Sequence, residues 1–466
     1  MRRKEVKKME EKKTFDQAVM EMIVLLKEKN YKKTREKLLE HNEADIAEAL
    51  EEILEETGID TTIIVFRMLP KDISVEVFSR LPSDDQKEII NRITEKELTY
   101  IIDELDFDDK IDVLEELPAN VVDKILEKTP KKERHQINTF LNYPDNCAGT
   151  LMTPDYISLE KEMTVREALA YIKNEGMDSE TIYTCYVKEG SRKLKGIVSL
   201  RTLVVSDDNT KIADIMREDF VSINVYEDQE EVSEMFKKYG YLAMPVVDNE
   251  QRLVGIITMD DILDVIEEEN TEDIERMAGV MDSSTTEYLN TGVGQHVKSR
   301  LPWLIFLMVS LMITGAIISQ FEETLSQVIV LVAYLPLLMG TGGNTGSQTS
   351  TLVIRSMAIG DLELKDALKV LWKEFRISIT VGLILSVMNF GKVMLIDGES
   401  WKIAVTVSAA MLIIVTFAKV IGGMLPMAAK KIKIDPALMA NPMIASITDM
   451  FSATIYLVMA SLILGI

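Results

Sequence analysis

Cysteine, histidine and basic charge are all scarce in this chain, and each shortage excludes something. There are 2 cysteines in 466 residues, Cys147 and Cys185. Two scattered thiols make neither a disulfide framework nor a zinc-ligand spacing, and they suit a reducing cytoplasm. There are 3 histidines, His41, His135 and His296. None falls in a long apolar stretch and no His-Glu-x-x-His occurs, which argues against an intramembrane zinc peptidase. Lys and Arg number 52 against 76 Asp and Glu, a formal net charge of −24. The deficit is local. From His296 onward there are 10 acidic and 13 basic residues, leaving 66 acidic and 39 basic before it, a net of +3 against −27. A region this acidic is a poor nucleic-acid binder, because phosphate contacts need clustered cations. Its negative field attracts cations instead. The N-terminus, Met1-Arg2-Arg3-Lys4-Glu5, leads into charged sequence with no apolar run, so no cleavable signal peptide is expected.

Against that charge, 47% of the residues are hydrophobic, and they gather in the last third. Pro302–Phe321 holds no charge and is long enough to cross a hydrocarbon core of about 30 Å. Four further apolar stretches follow, near Val328–Ile354, Ile377–Ile396, Ile403–Ala429 and Pro436–Ile466. The loop Gln320-Phe321-Glu322-Glu323 has no cation, whereas Arg355 to Arg376 carries Arg355, Lys365, Lys369, Lys373 and Arg376, and Lys430-Lys431-Ile432-Lys433 is also basic. Basic loops stay in the cytoplasm. Five spans in the cell membrane then place the acidic N-terminal region in the cytoplasm and the C-terminus outside.

Residues 1–145 carry apolar positions at helical spacing, as in Ala47, Leu50, Ile53 and Leu54. A weak repeat runs through Leu69-Pro70-Lys71-Asp72, Leu81-Pro82-Ser83-Asp84, Leu105-Asp106-Phe107-Asp108 and Leu117-Pro118-Ala119-Asn120. In each copy a Leu closes one helix, and an acidic or amide residue is expected to cap the next. Stacked short helices predict an α-solenoid, with a small helical bundle as the alternative. Residues 146–268 hold two copies of one unit. Met152-Thr153-Pro154-Asp155 answers Met216-Arg217-Glu218-Asp219, and Leu194-Lys195-Gly196-Ile197 answers Leu253-Val254-Gly255-Ile256. Helices over Val165–Lys173 and Glu231–Lys238 and strands over Thr184–Val187 and Ala243–Val247 give an α+β pattern. This stretch resembles a tandem of CBS motifs. Residues 269–295 read as an amphipathic connecting helix, and residues 296–466 as an all-α transmembrane domain with five helices.

Three features carry chemistry. Asp449 lies in the middle of the last apolar stretch. An ionised carboxylate there belongs beside a water-filled path or a cation, and the alternative is a neutral, hydrogen-bonded brace between helices. Asn441, Ala445 and Asp449, four residues apart, share a helix face. Asp435-Pro436 is expected to open that helix, and Pro442 to disrupt its early turns. The second feature is the polar run Gly340 to Ser350, with Gly343, Asn344, Gly346 and Gln348. It reads as a break in helical backbone that lines a cavity, or else as tight packing through small residues. The third is the acid run Asp260, Asp261, Asp264, Glu267, Glu268, Glu269, Glu272 and Asp273, with a second cluster at Asp106, Asp108, Asp109 and Asp112. Two such faces repel unless divalent ions bridge them, and the plain alternative is a solvated acidic surface. Oxygen ligands alone point to Mg²⁺ or Ca²⁺. A single carboxylate per chain suits Mg²⁺, which keeps most of its water. A twofold dimer would supply a second.

Together these features resemble the MgtE family of magnesium channels over nearly the whole chain. The most specific motifs are Gly343-Asn344-Thr345-Gly346-Ser347-Gln348 and Asn441-Pro442 with Asp449. The resemblance implies that Asp449 binds hydrated Mg²⁺ in a pore on a homodimer axis, lined also by Asn441 and Ala445. It implies regulatory Mg²⁺ roles for Asp261 and Asp264, with Asp108 and Asp112 as their partners, and a pairing of Glu272 on the connecting "plug" helix with Asp435. Family members with an acidic residue near Gly240 differ from this chain. Ribose-binding CBS modules often carry Asp where the first copy here has Thr202, and Asp261 in the second copy is taken by the metal reading. Nucleotide (ATP) binding is therefore in doubt. The expected function is a Mg²⁺-selective uptake channel closed by cytoplasmic Mg²⁺, in membrane lipid and with no nucleic-acid partner. A transporter coupled to Na⁺ or H⁺ is the alternative, and an enzyme the improbable third.

Overall fold

The computed structural model describes the backbone of residues 2–190, 192–281, 288–289 and 291–465, and side chains from Phe15 onward except those of Glu116, Asn120 and Asn441. The chain divides into two compact units, residues 1–266 and 267–466.

The first unit begins with ten helices: α1 (Arg2–Lys27), α2 (Tyr31–Leu38), α3 (Glu43–Thr57), α4 (Ile59–Phe66), α5 (Lys71–Ser79), α6 (Ser83–Ile90), α7 (Glu95–Glu104), α8 (Phe107–Glu116), α9 (Ala119–Lys128) and α10 (Lys131–Phe140). Helix α3 packs on α5, α4 on α6, α5 on α7 and α6 on α8. This regular offset is the stacking that the repeat predicts. The capping differs from expectation. The N-cap positions of α5, α6 and α9 are Pro70, Pro82 and Pro118, without a side-chain cap, and Asp106 before α8 likewise gives no side-chain cap. Proline fixes φ, between −53° and −56° at these three positions, and so sets the chain's entry into each helix. The acids Asp72, Asp84 and Asp108 sit inside the first turn, where the helix dipole favours them.

Next come α11 (Ala148–Leu151), β1 (Tyr156–Glu160), α12 (Val165–Glu175), β2 (Thr181–Glu189), β3 (Lys193–Ser199), α13 (Leu200–Val205), α14 (Ile212–Ile215), β4 (Ile223–Asn224), α15 (Gln229–Tyr239), β5 (Ala243–Val247), β6 (Leu253–Thr258) and α16 (Met259–Ala278). They form two three-stranded sheets, β1-β2-β3 and β4-β5-β6, each with one parallel and one antiparallel pairing. The repeated residues explain why the copies fold as one module. Thr153 N–H and C=O pair with Ile256 at 2.8 and 2.9 Å, and Arg217 pairs with Ile197 at 2.9 and 3.0 Å. Each copy thus adds its Met-led segment to the other copy's sheet. A Cβ on Gly255 would stand 2.7 Å from Met152 Sδ and one on Gly196 3.0 Å from Met216 Sδ, so both glycines are required for that approach. Tyr186, Leu194, Val247, Leu253 and Ile256 form the shared core.

The connecting helix expected at residue 269 instead starts at Met259, as α16, and stops at Ala278 rather than near Gly292. Gly279 ends it at φ +77°, and a Cβ there would lie 2.0 Å from the Trp303 ring. Residues 282–287 and 290 of the expected connector lie outside the described residues.

The second unit continues with α17 (Val293–Ser319), α18 (Glu322–Gln327), α19 (Leu331–Ala358), α20 (Ala367–Leu395), α21 (Trp401–Lys431) and α22 (Asn441–Leu464), with 3-10 turns at Leu364–Asp366 and Pro436–Met439. Among the described residues, four segments are long and apolar enough to cross a membrane: Val293–Ser319, Leu364–Leu395, Trp401–Lys431 and Pro436–Leu464. Helix α19 is also long, at 28 residues, but its polar centre keeps it out of that set. It packs against α21 and α22, α20 packs on α21, and α17 on α22.

Candidate ion pathway and acidic clusters

The break expected at Gly340–Ser350 is absent, because α19 runs through it without interruption. Its glycines serve close helix contact. A Cβ on Gly422 would lie 2.3 Å from the Gly346 carbonyl oxygen, and one on Gly346 2.7 Å from Ile444 Cγ2. A Cβ on Gly343 would sit 3.5 Å from Ala445 Cβ. The structure thus brings Gly343 and Ala445 together. Asn344 and Gln348, four residues apart, are exposed on the unit's surface. Gly422→Ala is therefore expected to destabilise the membrane unit by about 3 kcal/mol, the upper end for overpacking, since backbone cannot swing aside. Gly340→Ala, with open space around it, should leave the melting temperature unchanged in the same thermal assay.

The last helix also differs from expectation. Asp435 caps the 3-10 turn, accepting from Ala437 N–H at 2.8 Å, and α22 itself begins at Asn441. Pro442 lies in the first turn of α22, where no intrahelical N–H is needed, so it disrupts nothing. The Met439 carbonyl in the preceding turn is taken by the Ser350 hydroxyl at 2.9 Å. Asp449 is half-buried on α22. It has no hydrogen-bonding or ionic partner among the described residues. The hydrogen-bonded brace is thus not found there, and a carboxylate is left for water or a cation. The Asn441 side chain lies outside the described residues.

In the first unit, carboxylates at the N-terminus of α8 and at the start of α16 lie close enough for their charges to act on one another. Asp261 accepts from the Thr258 hydroxyl at 2.6 Å, and Asp260 accepts from the same hydroxyl. Asp108 keeps one buried oxygen, Oδ1, without a hydrogen-bond partner. Burial, then the nearby charges of Asp261, Glu180 and Asp109, push its carboxyl up to about 8. Burial with Asp106 and Asp261 pushes Asp109 up to about 6, and burial with Asp106 and Asp261 pushes Glu180 up to about 7. Burial raises Asp261 too, against its bonds from Thr258. Asp108 and Asp261 are thus brought together. Asp112 and Asp264 lie exposed about one turn further along the same two helices. Sequence reasoning missed Glu180, since an isolated Glu before a strand carries no pattern. Among the described residues, no three His, Cys, Asp or Glu side chains are gathered closely enough to hold a metal by themselves.

In the second unit, Glu272 and Asp435 are joined through Arg276. The guanidinium bonds Asp435 Oδ2 at 2.7 Å and pairs with Glu272 one turn back. Burial, then Asp435 and Glu269, raise the carboxyl of Asp273 beside them. Two more charged residues escaped the sequence reading. Lys419, buried, and Glu374, largely buried, lie between α19, α20 and α21, linked through Thr349. A lone Lys inside the apolar run Val415 to Ile421 was the available signal.

A cleft of about 280 Å³ in the CBS module is lined by Thr184, Tyr186, Ser199, Thr202, Arg217 and Tyr241 among others. Thr202 and Ser199 share a hydrogen bond at 2.8 Å, and no carboxylate is among the lining residues.

Residues 335–459 match the family model MgtE, described as a divalent cation transporter. Residues 41–146 match the MgtE intracellular N domain, and residues 148–207 and 212–268 each match the CBS domain. A magnesium transporter MgtE of Thermus thermophilus is 40% identical over 333 residues, covering 72% of this chain and 73% of that protein. One of Enterococcus faecalis is 34% identical over 334 residues, covering 71% and 72%. Among solved structures, the cytosolic domain of the Mg²⁺ channel MgtE in complex with ATP is 35% identical. It covers 53% of this chain and 99% of that one, with a TM-score of 0.49.

Proposed function

We propose that this chain, because it belongs to the MgtE family, moves Mg²⁺ across the cell membrane through residues 296–466 and is shut by Mg²⁺ bound to its acidic cytoplasmic region. The observation that carries the reading is Asp449, a half-buried carboxylate inside an apolar helix with no partner among the described residues. Such a group is costly in lipid and is favoured where a hydrated cation passes. Ala445, one turn earlier, and the Gly343 backbone it faces keep that side of α22 small enough for an ion that retains its water. Asn441, at the start of α22, is assigned to the same lining.

The membrane unit crosses five times in this reading, with α19 as the second crossing, the N-terminus inside and the C-terminus outside. Exposed Asn344 and Gln348 at the centre of α19 are unsuited to lipid. A second copy on a twofold axis would cover them or enclose them around water, and would add a second Asp449. Asp108 with Asp112, Asp261 with Asp264, and Glu272 with Asp435 are the regulatory carboxylates. Their support is the burial and mutual repulsion around Asp108 and Asp261, which a divalent ion would relieve.

The test is Mg²⁺ entry into liposomes holding the purified full-length protein. Entry that follows an imposed voltage, without saturating at carrier-like rates, is the expected result and separates a channel from a coupled carrier. Entry no faster than into protein-free liposomes would sink the reading.

A further inference from the structure

Lys419 lies well inside α21, some 18 Å from the helix's C-terminal end at ~1.5 Å per residue. Its side chain is 9% exposed and that of Glu374 is 13% exposed, so the ammonium does not reach past the protein to lipid headgroups. Lys419 Nζ donates to Thr349 Oγ1 at 3.3 Å. The Thr349 hydroxyl donates in turn to Glu374 Oε2 at 3.0 Å, and the two charges stand 4.0 Å apart. Three helices, α21, α19 and α20, are thereby tied at one point. Gly423 lies against the pair: a Cβ there would stand in ordinary contact, at 3.4 Å, with both Glu374 Cγ and Thr349 Cγ2.

A buried ion pair is a poor device for stability alone, since well-packed apolar side chains of similar size often do as well or better. Charged groups inside a membrane more often mark or shape an ion path. The place of the tie says which part of the path it would shape. Thr349 follows Gln348 directly, and Ser350 is bonded to the Met439 carbonyl at the entrance to α22. The C-terminal half of α19 is thus keyed on two sides. One side leads to α20 and α21, the other to the turn before α22. A small rotation of α19 would carry Asn344 and Gln348 with it.

We propose that Lys419, neutralised by Glu374 through Thr349, is a positioning residue for ion passage: it fixes the rotation of α19 so that Asn344 and Gln348 face the ion path. The proposal rests on the transport reading above. Wild-type protein, Lys419→Met, Lys419→Arg and the double variant Lys419→Met with Glu374→Met are compared for Mg²⁺ entry into liposomes and for thermal melting. Absence of entry with wild-type protein would fault the transport reading and not this one. With wild-type entry present, Lys419→Met should cut maximal entry at least tenfold while the half-saturating Mg²⁺ concentration stays within about twofold. Lys419→Arg should recover much of the rate. If Lys419→Met fails to fold, the double variant decides. It removes both buried charges, so it should melt near wild type yet stay at least tenfold slow. A double variant that melts and conducts like wild type would show that the pair serves folding only. Wild-type entry in folded Lys419→Met would equally overturn the proposal.

Discussion

Replacing Asp449 by Ala should reduce Mg²⁺ entry by more than tenfold while leaving the protein folded and its melting temperature close to wild type. The lower bound comes from electrostatics. Even at the dielectric constant of water, a carboxylate and a divalent ion ~5 Å apart attract by about 1.7 kcal/mol, worth more than a factor of ten in occupancy. Inside a protein the screening is weaker and the loss larger. Stability should hardly change, because Asp449 has no partner among the described residues to leave stranded. Asp449→Asn keeps the shape and loses the charge, so it should be nearly as slow as Asp449→Ala. Entry through the liposome membrane, measured beside a melting curve, checks both statements. Wild-type entry through either folded variant would remove Asp449 from the ion path.

The second large effect is expected in the acidic region, and its sign follows from the raised carboxyls. Asp108, Glu180 and Asp109 titrate at about 8, 7 and 6 in the folded unit, above the ordinary carboxylate range. A folded-state value above the unfolded one means the packed arrangement binds protons more tightly. The stability that these three carboxyls contribute is therefore complete below about pH 4 and is lost as pH rises through 6 to 8. With divalent ions chelated, residues 1–266 should resist protease at pH 5.5 and be cut readily at pH 8.5. Millimolar Mg²⁺ should restore resistance at pH 8.5, because a divalent ion bridges carboxylates as well as neutralising them. K⁺ at matched ionic strength should not, since it only screens, over about 8 Å at physiological strength. Asp108→Asn removes the carboxyl that is pushed up furthest of the three and should flatten both the pH and the Mg²⁺ dependence. Identical digestion patterns under all these conditions would reduce the acid clusters to a solvated surface.

Much of the fold is legible in the sequence where burial is two-sided or repeated. Strand β5 is found at the expected Ala243–Val247, and all five of its residues are buried, an apolar run closed by Asp248. The Met-led and Gly-centred repeats were visible as matching letters. Only the folded chain shows that each Met-led segment pairs with the opposite copy's Gly strand. The repeat offers Pro and an acidic or amide residue as rival helix starts, two residues apart in Pro70/Asp72, Pro82/Asp84 and Pro118/Asn120, and in these three copies Pro holds the cap position. The Gly-rich run reads either as broken backbone lining a cavity or as tight packing through small residues, and the continuous helix α19 selects the packing. In a membrane helix the cost of glycine is offset by close approach, here of Gly346 to Gly422 from a distant part of the chain. Asp449, Asp108 and Asp261 could be picked out as acids in unusual company. Lys419 also stands out as a lone cation in an apolar run, but its pairing with Glu374 does not, nor do Arg276 and Glu180, because each gains its meaning from a partner on another element.

Helix α19 has a consequence for how the chain is made. Machinery that inserts nascent segments reads their apolarity largely one at a time, and the polar centre of α19 makes it a marginal candidate for release into lipid. The contacts that would hold it, Gly346 against Gly422 and Ser350 against Met439, belong to segments that leave the ribosome later. Until α21 and α22 emerge, α19 has no surface to lean on. In the five-crossing reading proposed above, α19 would then be the last to settle, and assembly of the membrane unit would be cooperative across its C-terminal half rather than sequential from its N-terminus.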